Sequence, residues 1–224
     1  MKKCSWIMAA MVAAAVLGQS KAEAITITFH SGDGGDTVNG GSAVAIAPHP
    51  LWGDVSTSAG LAAGTAEWIS YANTGYGALV APNAANRDIG NQTALFSRSF
   101  DLLDVSDLSL WVLADDTASV RLLGPGGYSN ALYTAFPGQI DPCAPGGTGA
   151  GLGCVQADMG ISTVANLGPG LYTLQIFAFQ TNYDVFGAQY AGNIHSVPEP
   201  GTLLLVGTGL MGFVATRRRR QVKS

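Results

Sequence analysis

Short runs of alternating apolar and polar side chains, each closed by glycine or proline, leave this chain few ways to fold. In Tyr172-Thr173-Leu174-Gln175-Ile176-Phe177-Ala178-Phe179, Leu174, Ile176 and Ala178 oppose Thr173, Gln175 and Phe177, the period of a half-buried strand. Val120 and Leu122 alternate in the same way with Ser119 and Arg121. Leu108 to Leu113 turns continuously apolar in its second half, as a strand buried on both faces does. Further strands are expected at 25–29, 43–46, 66–71 and 93–101. Gly32-Asp33-Gly34-Gly35, Gly124-Pro125-Gly126-Gly127 and Gly168-Pro169-Gly170 mark turns between such runs. With no amphipathic helix among them, residues 25–195 are expected to be all-β, an antiparallel β-sandwich or jelly roll.

Both ends read differently from this middle. Lys2 and Lys3 precede a twelve-residue apolar stretch, Trp6 to Leu17. Ala22 and Ala24 then supply the small residues a signal peptidase needs, so 1–24 reads as a signal peptide cleaved after Ala24. Cys4 leaves with it. At the other end, Val197-Pro198-Glu199-Pro200-Gly201 leads into an apolar run, Thr202 to Thr216, and then Arg217, Arg218, Arg219 and Arg220. Arginines placed directly after an apolar segment stay on the cytoplasmic side, which leaves the domain outside. Fifteen residues make a helix of roughly 23 Å, short against a hydrocarbon core of about 30 Å. Gly207, Gly209 and Gly212 weaken that helix further, by about 1 kcal/mol each relative to alanine. A temporary transmembrane anchor fits this segment better than a permanent one. The two prolines around Glu199 keep the preceding stretch extended and open to an enzyme.

Val-Pro-Glu-Pro, a glycine-bearing apolar segment and an arginine cluster, in that order over 197–220, resemble the PEP-CTERM sorting signal. The resemblance implies that 196–224 is recognised by exosortase, an integral-membrane cysteine transpeptidase of bacteria that secrete exopolysaccharide. It implies removal of the tail and transfer to the cell surface or matrix. Export through the Sec translocon, with signal peptidase as the first partner, follows from the front end. Within the middle, Glu67-Trp68-Ile69-Ser70-Tyr71, Ala114-Asp115-Asp116-Thr117-Ala118-Ser119-Val120, Phe177-Ala178-Phe179-Gln180 and Phe186-Gly187 resemble secreted PEP-CTERM ectodomains. Those in turn are similar to galactose-binding-like jelly rolls. Where such domains carry an Asn-Gly hairpin, this chain has Leu123-Gly124-Pro125-Gly126, and no ligand residue carries over.

Charge separates the middle from the ends. Between 25 and 195 stand Arg87, Arg98 and Arg121 against thirteen acids, so three less thirteen gives a formal balance of −10. No lysine occurs there, and Glu67 is the single glutamate. Such a segment repels DNA and anionic lipid and tolerates cations or neutral glycans. Nucleic acid is therefore not an expected partner.

Few residues offer chemistry. Cys143 and Cys154 enclose ten residues, and an exported protein meets oxidising conditions, so one disulfide is expected. It would contribute about 2–3 kcal/mol on the chain-entropy account. No second Cys or His pair accompanies it for zinc. Asp115-Asp116 sits in a turn before a strand, where it caps the turn through backbone bonds or helps to ligate calcium. No other cofactor is suggested. Gly32-Asp33-Gly34-Gly35-Asp36-Thr37-Val38-Asn39-Gly40 resembles one calcium nonapeptide of a β-roll. Since that fold works by stacking copies, a flexible acidic loop is expected. His30, His49 and His195 lie in no nucleophile motif. A glycosidase would need Glu67 paired with an aspartate, and Glu67 reads instead as an edge-strand residue. Trp52, Trp68 and Tyr71 could stack on sugar rings, with core packing as the ordinary role of strand aromatics.

The expected function is that of a non-enzymatic exported protein, sorted by exosortase into an exopolysaccharide-rich surface layer or biofilm matrix. The alternative is a jelly-roll carbohydrate-binding module steadied by calcium.

Overall fold

A computed structural model describes residues 24–77, 92–135, 152–180 and 185–196. Twelve strands occur there: β1 (Thr26–His30), β2 (Asp36–Val38), β3 (Gly41–Ser42), β4 (Val44–Ala45), β5 (Ile69–Ser70) and β6 (Ala94–Leu102), followed by β7 (Ser106–Asp115), β8 (Thr117–Leu123), β9 (Ser129–Tyr133), β10 (Gly160–Leu167), β11 (Gly170–Phe179) and β12 (Gly187–Ser196). They form two antiparallel sheets. One runs β10-β7-β12-β5-β4, with β1 also on β12; the other runs β3-β2-β6-β11-β8-β9. The protein is an all-β sandwich, as expected.

The alternation in the sequence builds the space between the sheets. Leu108, Leu110, Val112 and Ala114 of β7 face Leu174, Ile176 and Ala178 of β11, with Phe96, Val120, Leu122 and Tyr190 filling around them. These side chains are all at most 1% exposed, each worth about 1.5–3 kcal/mol of burial for the larger ones. The apolar second half of β7 also has its expected cause. Leu113 points the other way and is equally buried, in a second cluster with Ile46, Val55, Ala66, Trp68, Cys154 and Ala191. The long connection from β4 to β5 thus lies over the outer face of the first sheet.

Strands β1, β6, β7, β8 and β11 fall where the periodicity places them. The expected strands 43–46 and 66–71 shrink to the two-residue β4 and β5, because their remaining residues enter the covering loop. Glu67 is exposed and lies just outside β5 rather than in an edge strand. The central strand β12 carries no alternating pattern. Its glycines are required by close approach: a Cβ on Gly192 would lie 2.3 Å from the Phe29 ring, and one on Gly187 2.7 Å from Ile46.

The acidic stretch folds into a defined hairpin. Asp36–Val38 and Gly41–Ser42 pair as a hairpin whose central residues, Asn39 (φ 51°) and Gly40 (φ 81°), both take the left-handed conformation of a tight hairpin turn. Arg98 of β6 donates to Asp33 through both terminal nitrogens, the longer bond being 3.0 Å, and lies 3.8 Å from Asp36. The Tyr190 hydroxyl donates to Asp36. The carboxylates of this stretch are thus neutralised by a guanidinium from β6.

Candidate functional site

On the outer face of the first sheet, the β4–β5 connection leaves an open cleft of about 600 Å³. Its aromatic wall begins with a turn in which Trp52 N–H donates to the His49 carbonyl at 2.9 Å. That turn brings the half-buried Trp52 ring onto Trp68, stacked at 4.0 Å between centroids and 29° between planes. Trp68 is 3% exposed, and its Nε1 donates to the Gly53 carbonyl at 3.1 Å. His49 extends the row, 6.4 Å from Trp52 and 5.1 Å edge-on from Tyr76. Tyr76 is 56% exposed, so the row passes from solvent into the core.

The opposite polar wall is held by β12. Gln189 is 2% exposed and reaches out of the sheet. Its amide donates to the Ala66 carbonyl at 2.8 Å and to Asp54 at 3.4 Å, while its Oε1 accepts from Val55 N–H at 3.0 Å. Asp54 also accepts from Ser56 N–H at 2.8 Å and Gly64 N–H at 2.7 Å. Burial pushes the Asp54 carboxyl up, but its bonds from Ser56, Gly64 and Gln189 outweigh this and hold it below the ordinary carboxylate value. Asp54 is thus ionised and committed to shaping the loop. Glu67, also on the cleft, projects across Gly32: a Cβ there would lie 2.5 Å from Glu67 Oε2. Gly53 packs so closely that a Cβ would lie 2.8 Å from Gln156 N. Gln156 in turn accepts from Asp54 N–H at 2.8 Å.

Of the three aromatics singled out in the sequence, the structure brings Trp52 and Trp68 together at the cleft. Tyr71 is elsewhere, packed at 5.9 Å from Phe186 beside the main core. His49, Asp54 and Gln189 had no sequence signal for this cleft, because a long loop and a pattern-poor strand bring them to it.

The other candidates lie apart from it. Asp115 ends β7 and Asp116 leads into β8, joined by a cis peptide bond at the corner where the chain crosses between sheets. They are 3% and 0% exposed, so the pair is interior rather than displayed on a turn. Among the described residues no group of three or more His, Cys, Asp or Glu is disposed to hold a metal. Cys154 is fully buried in the second cluster. Its expected partner Cys143 lies outside the described residues, as do Ala22, Val197, Pro198, Glu199, Pro200 and Arg217 to Arg220. Ala24 is exposed. Among the described residues no helix is long and apolar enough to cross a membrane.

The sandwich is similar to several solved structures, each at low identity. A family 35 carbohydrate-binding module from Clostridium thermocellum aligns at 10% identity and TM-score 0.37, covering 77% of this chain and 99% of that one. The K1 adhesin domain of Lys-gingipain from Porphyromonas gingivalis aligns at 16% and 0.35, covering 77% and 98%. An exo-β-1,3-galactanase from Phanerochaete chrysosporium aligns at 12% and 0.34, covering 76% of this chain, which spans only 29% of that enzyme. At these scores the fold rests on the sheets described above. No curated protein sequence matches the chain. Residues 196–220 match the PEP-CTERM protein-sorting motif. The chain therefore carries the sorting signal of an exported, exosortase-targeted protein, beginning at the last residue of β12.

Proposed function

We propose that this is a non-enzymatic β-sandwich protein delivered by exosortase to the cell surface or exopolysaccharide matrix. The observation that carries the proposal is the sorting motif at 196–220, directly following the sandwich in the chain. Signal peptidase would release Ile25 after Sec export, and the arginines would hold the apolar run in the inner membrane until the tail is removed. A disulfide between Cys143 and Cys154 belongs to the same extracellular life. One feature of the cleft supports a non-catalytic reading. Asp54, the cleft aspartate nearest in kind to a catalytic partner for Glu67, spends its oxygens on Ser56, Gly64 and Gln189. A glycosidase needs two carboxyl groups directed across one bond. Replacing Pro198, Glu199 and Pro200 together with alanine tests the sorting step. Full-length protein retaining its arginines should then accumulate in the membrane fraction, whereas unchanged delivery would contradict the proposal.

The Trp52 cleft supports a second reading, a carbohydrate-binding module. Its half-buried indole, backed by a second stacked ring, offers the flat apolar surface on which a sugar face packs. Glu67 and His49 flank it with polar groups. Trp52→Ala should abolish saturable glycan binding while the sandwich still melts cooperatively. Retained binding would remove the cleft from consideration.

Calcium enters this proposal at the Asp115–Asp116 corner. Two adjacent interior carboxylates offer oxygen ligands of the kind calcium prefers, and nearby backbone carbonyls could complete the shell. Calcium should then raise the melting temperature and a chelator lower it. Asp116→Asn should lose the difference, and identical melts in calcium and chelator would exclude the ion.

A further inference from the structure

We infer that the Trp52 cleft selects saccharides bearing a protonated amino group over neutral N-acetylated or acidic ones. The inference rests on the carbohydrate-binding reading of the cleft and gives it a ligand class. Three observations carry it.

The first is the sign of the walls. Asp54 and Glu67 both line the cleft, and no lysine or arginine does. Among the described residues the only such cations are Arg98 on β6 and Arg121 on β8, both in the opposite sheet. Arg98 is occupied by Asp33 and Asp36, and Arg121 lies over the Phe177 ring at 5.5 Å. Neither cation belongs to the cleft, so an anionic sugar would meet like charge there. The second is that the two carboxylates differ in role. Asp54 is tied down by three donors, whereas Glu67 is exposed at the rim. Glu67 can turn to an incoming ammonium while Asp54 supplies a standing negative potential. The third is the aromatic row. The half-buried Trp52 ring attracts a cation as well as the apolar face of a sugar ring, and His49 stands beside it on the cleft. A sugar ring laid on Trp52, with its ammonium toward Glu67, uses both walls together.

Titration calorimetry on the full-length protein in detergent tests this with three probes of matched length. These are a glucosamine oligomer, its N-acetylglucosamine counterpart and an oligogalacturonate, at a pH below the amine's titration. The glucosamine oligomer should bind best, and the oligogalacturonate should not bind. Glu67→Gln should weaken the glucosamine oligomer by about fivefold, the size of a partly exposed ion pair, and leave the acetylated probe unchanged. Trp52→Ala should abolish both. Equal affinity for the amino and acetylated probes would overturn the amine preference yet leave the carbohydrate site standing. Preference for the oligogalacturonate would reverse the charge argument. Failure of all three probes to bind would remove the amine preference and count against the carbohydrate reading with it.

Discussion

Arg98 and Tyr190 show how single side chains can turn an acidic, glycine-rich stretch into structure. Asp36 accepts from Tyr190 and from Gly32 N–H at 2.7 Å, with Arg98 close by. Removing the guanidinium leaves two carboxylates facing each other beside a buried phenol. Arg98→Met should therefore cost about 2 kcal/mol, between the values for exposed and buried pairs, as read from urea unfolding. Tyr190 itself predicts an alkaline limit. Burial, then the neighbouring Asp36 charge and hydrogen bond, push its hydroxyl far above the ordinary 10.0. Above pH 10 the unfolded chain loses that proton while the folded one keeps it, so stability falls as pH rises. Tyr190→Phe should flatten the slope of melting temperature between pH 9 and 11. Asp54 has the opposite sign. Its carboxyl lies below 3.8 when folded, so its contribution is present above that pH and is lost as pH falls through the folded value. Asp54→Asn should lower stability at neutral pH and reduce the loss on acidification.

Among the elements, those with large side chains at every second position were legible and the rest were not. β11 could be read because Leu174, Ile176 and Ala178 alternate with Thr173, Gln175 and Phe177. β12 escaped because the same burial is achieved there with Gly187, Ala188, Ala191 and Gly192, which yield space to Phe29 and Ile46. Gly192→Ala should thus destabilise by about 1–3 kcal/mol through overpacking, since Phe29 is 4% exposed and stacked on Phe100 at 5.1 Å. Denaturant melts would show it. The site was half legible for a related reason. Trp52 and Trp68 are conspicuous residues in any chain, but that they meet each other and exclude Tyr71 depends on the path of the β4–β5 connection. Its path is set by contacts such as Gly53 N–H to the Cys154 carbonyl at 2.7 Å and Ile46 N–H to the Trp68 carbonyl at 2.8 Å. Bonds across such sequence distances leave no local pattern. Likewise, Gly32 to Gly40 looked flexible because its anchor, Arg98, stands about sixty residues away in the chain.

For the molecule as a whole, location and charge belong to one account. Removal of the two basic ends, as proposed, would leave the −10 balance between 25 and 195. Such a domain keeps away from anionic surfaces and accepts cations, which agrees with a place among secreted polymers and with the acidic walls of the Trp52 cleft. The sorting motif at 196–220 remains the observation from which the account starts. The most direct measurement is therefore the intact mass of the protein recovered from each fraction of its own host. The account predicts a surface or matrix species that begins at Ile25 and lacks Arg217 to Arg220. An inner-membrane species that keeps those arginines, with nothing in the surface or matrix fractions, would contradict it.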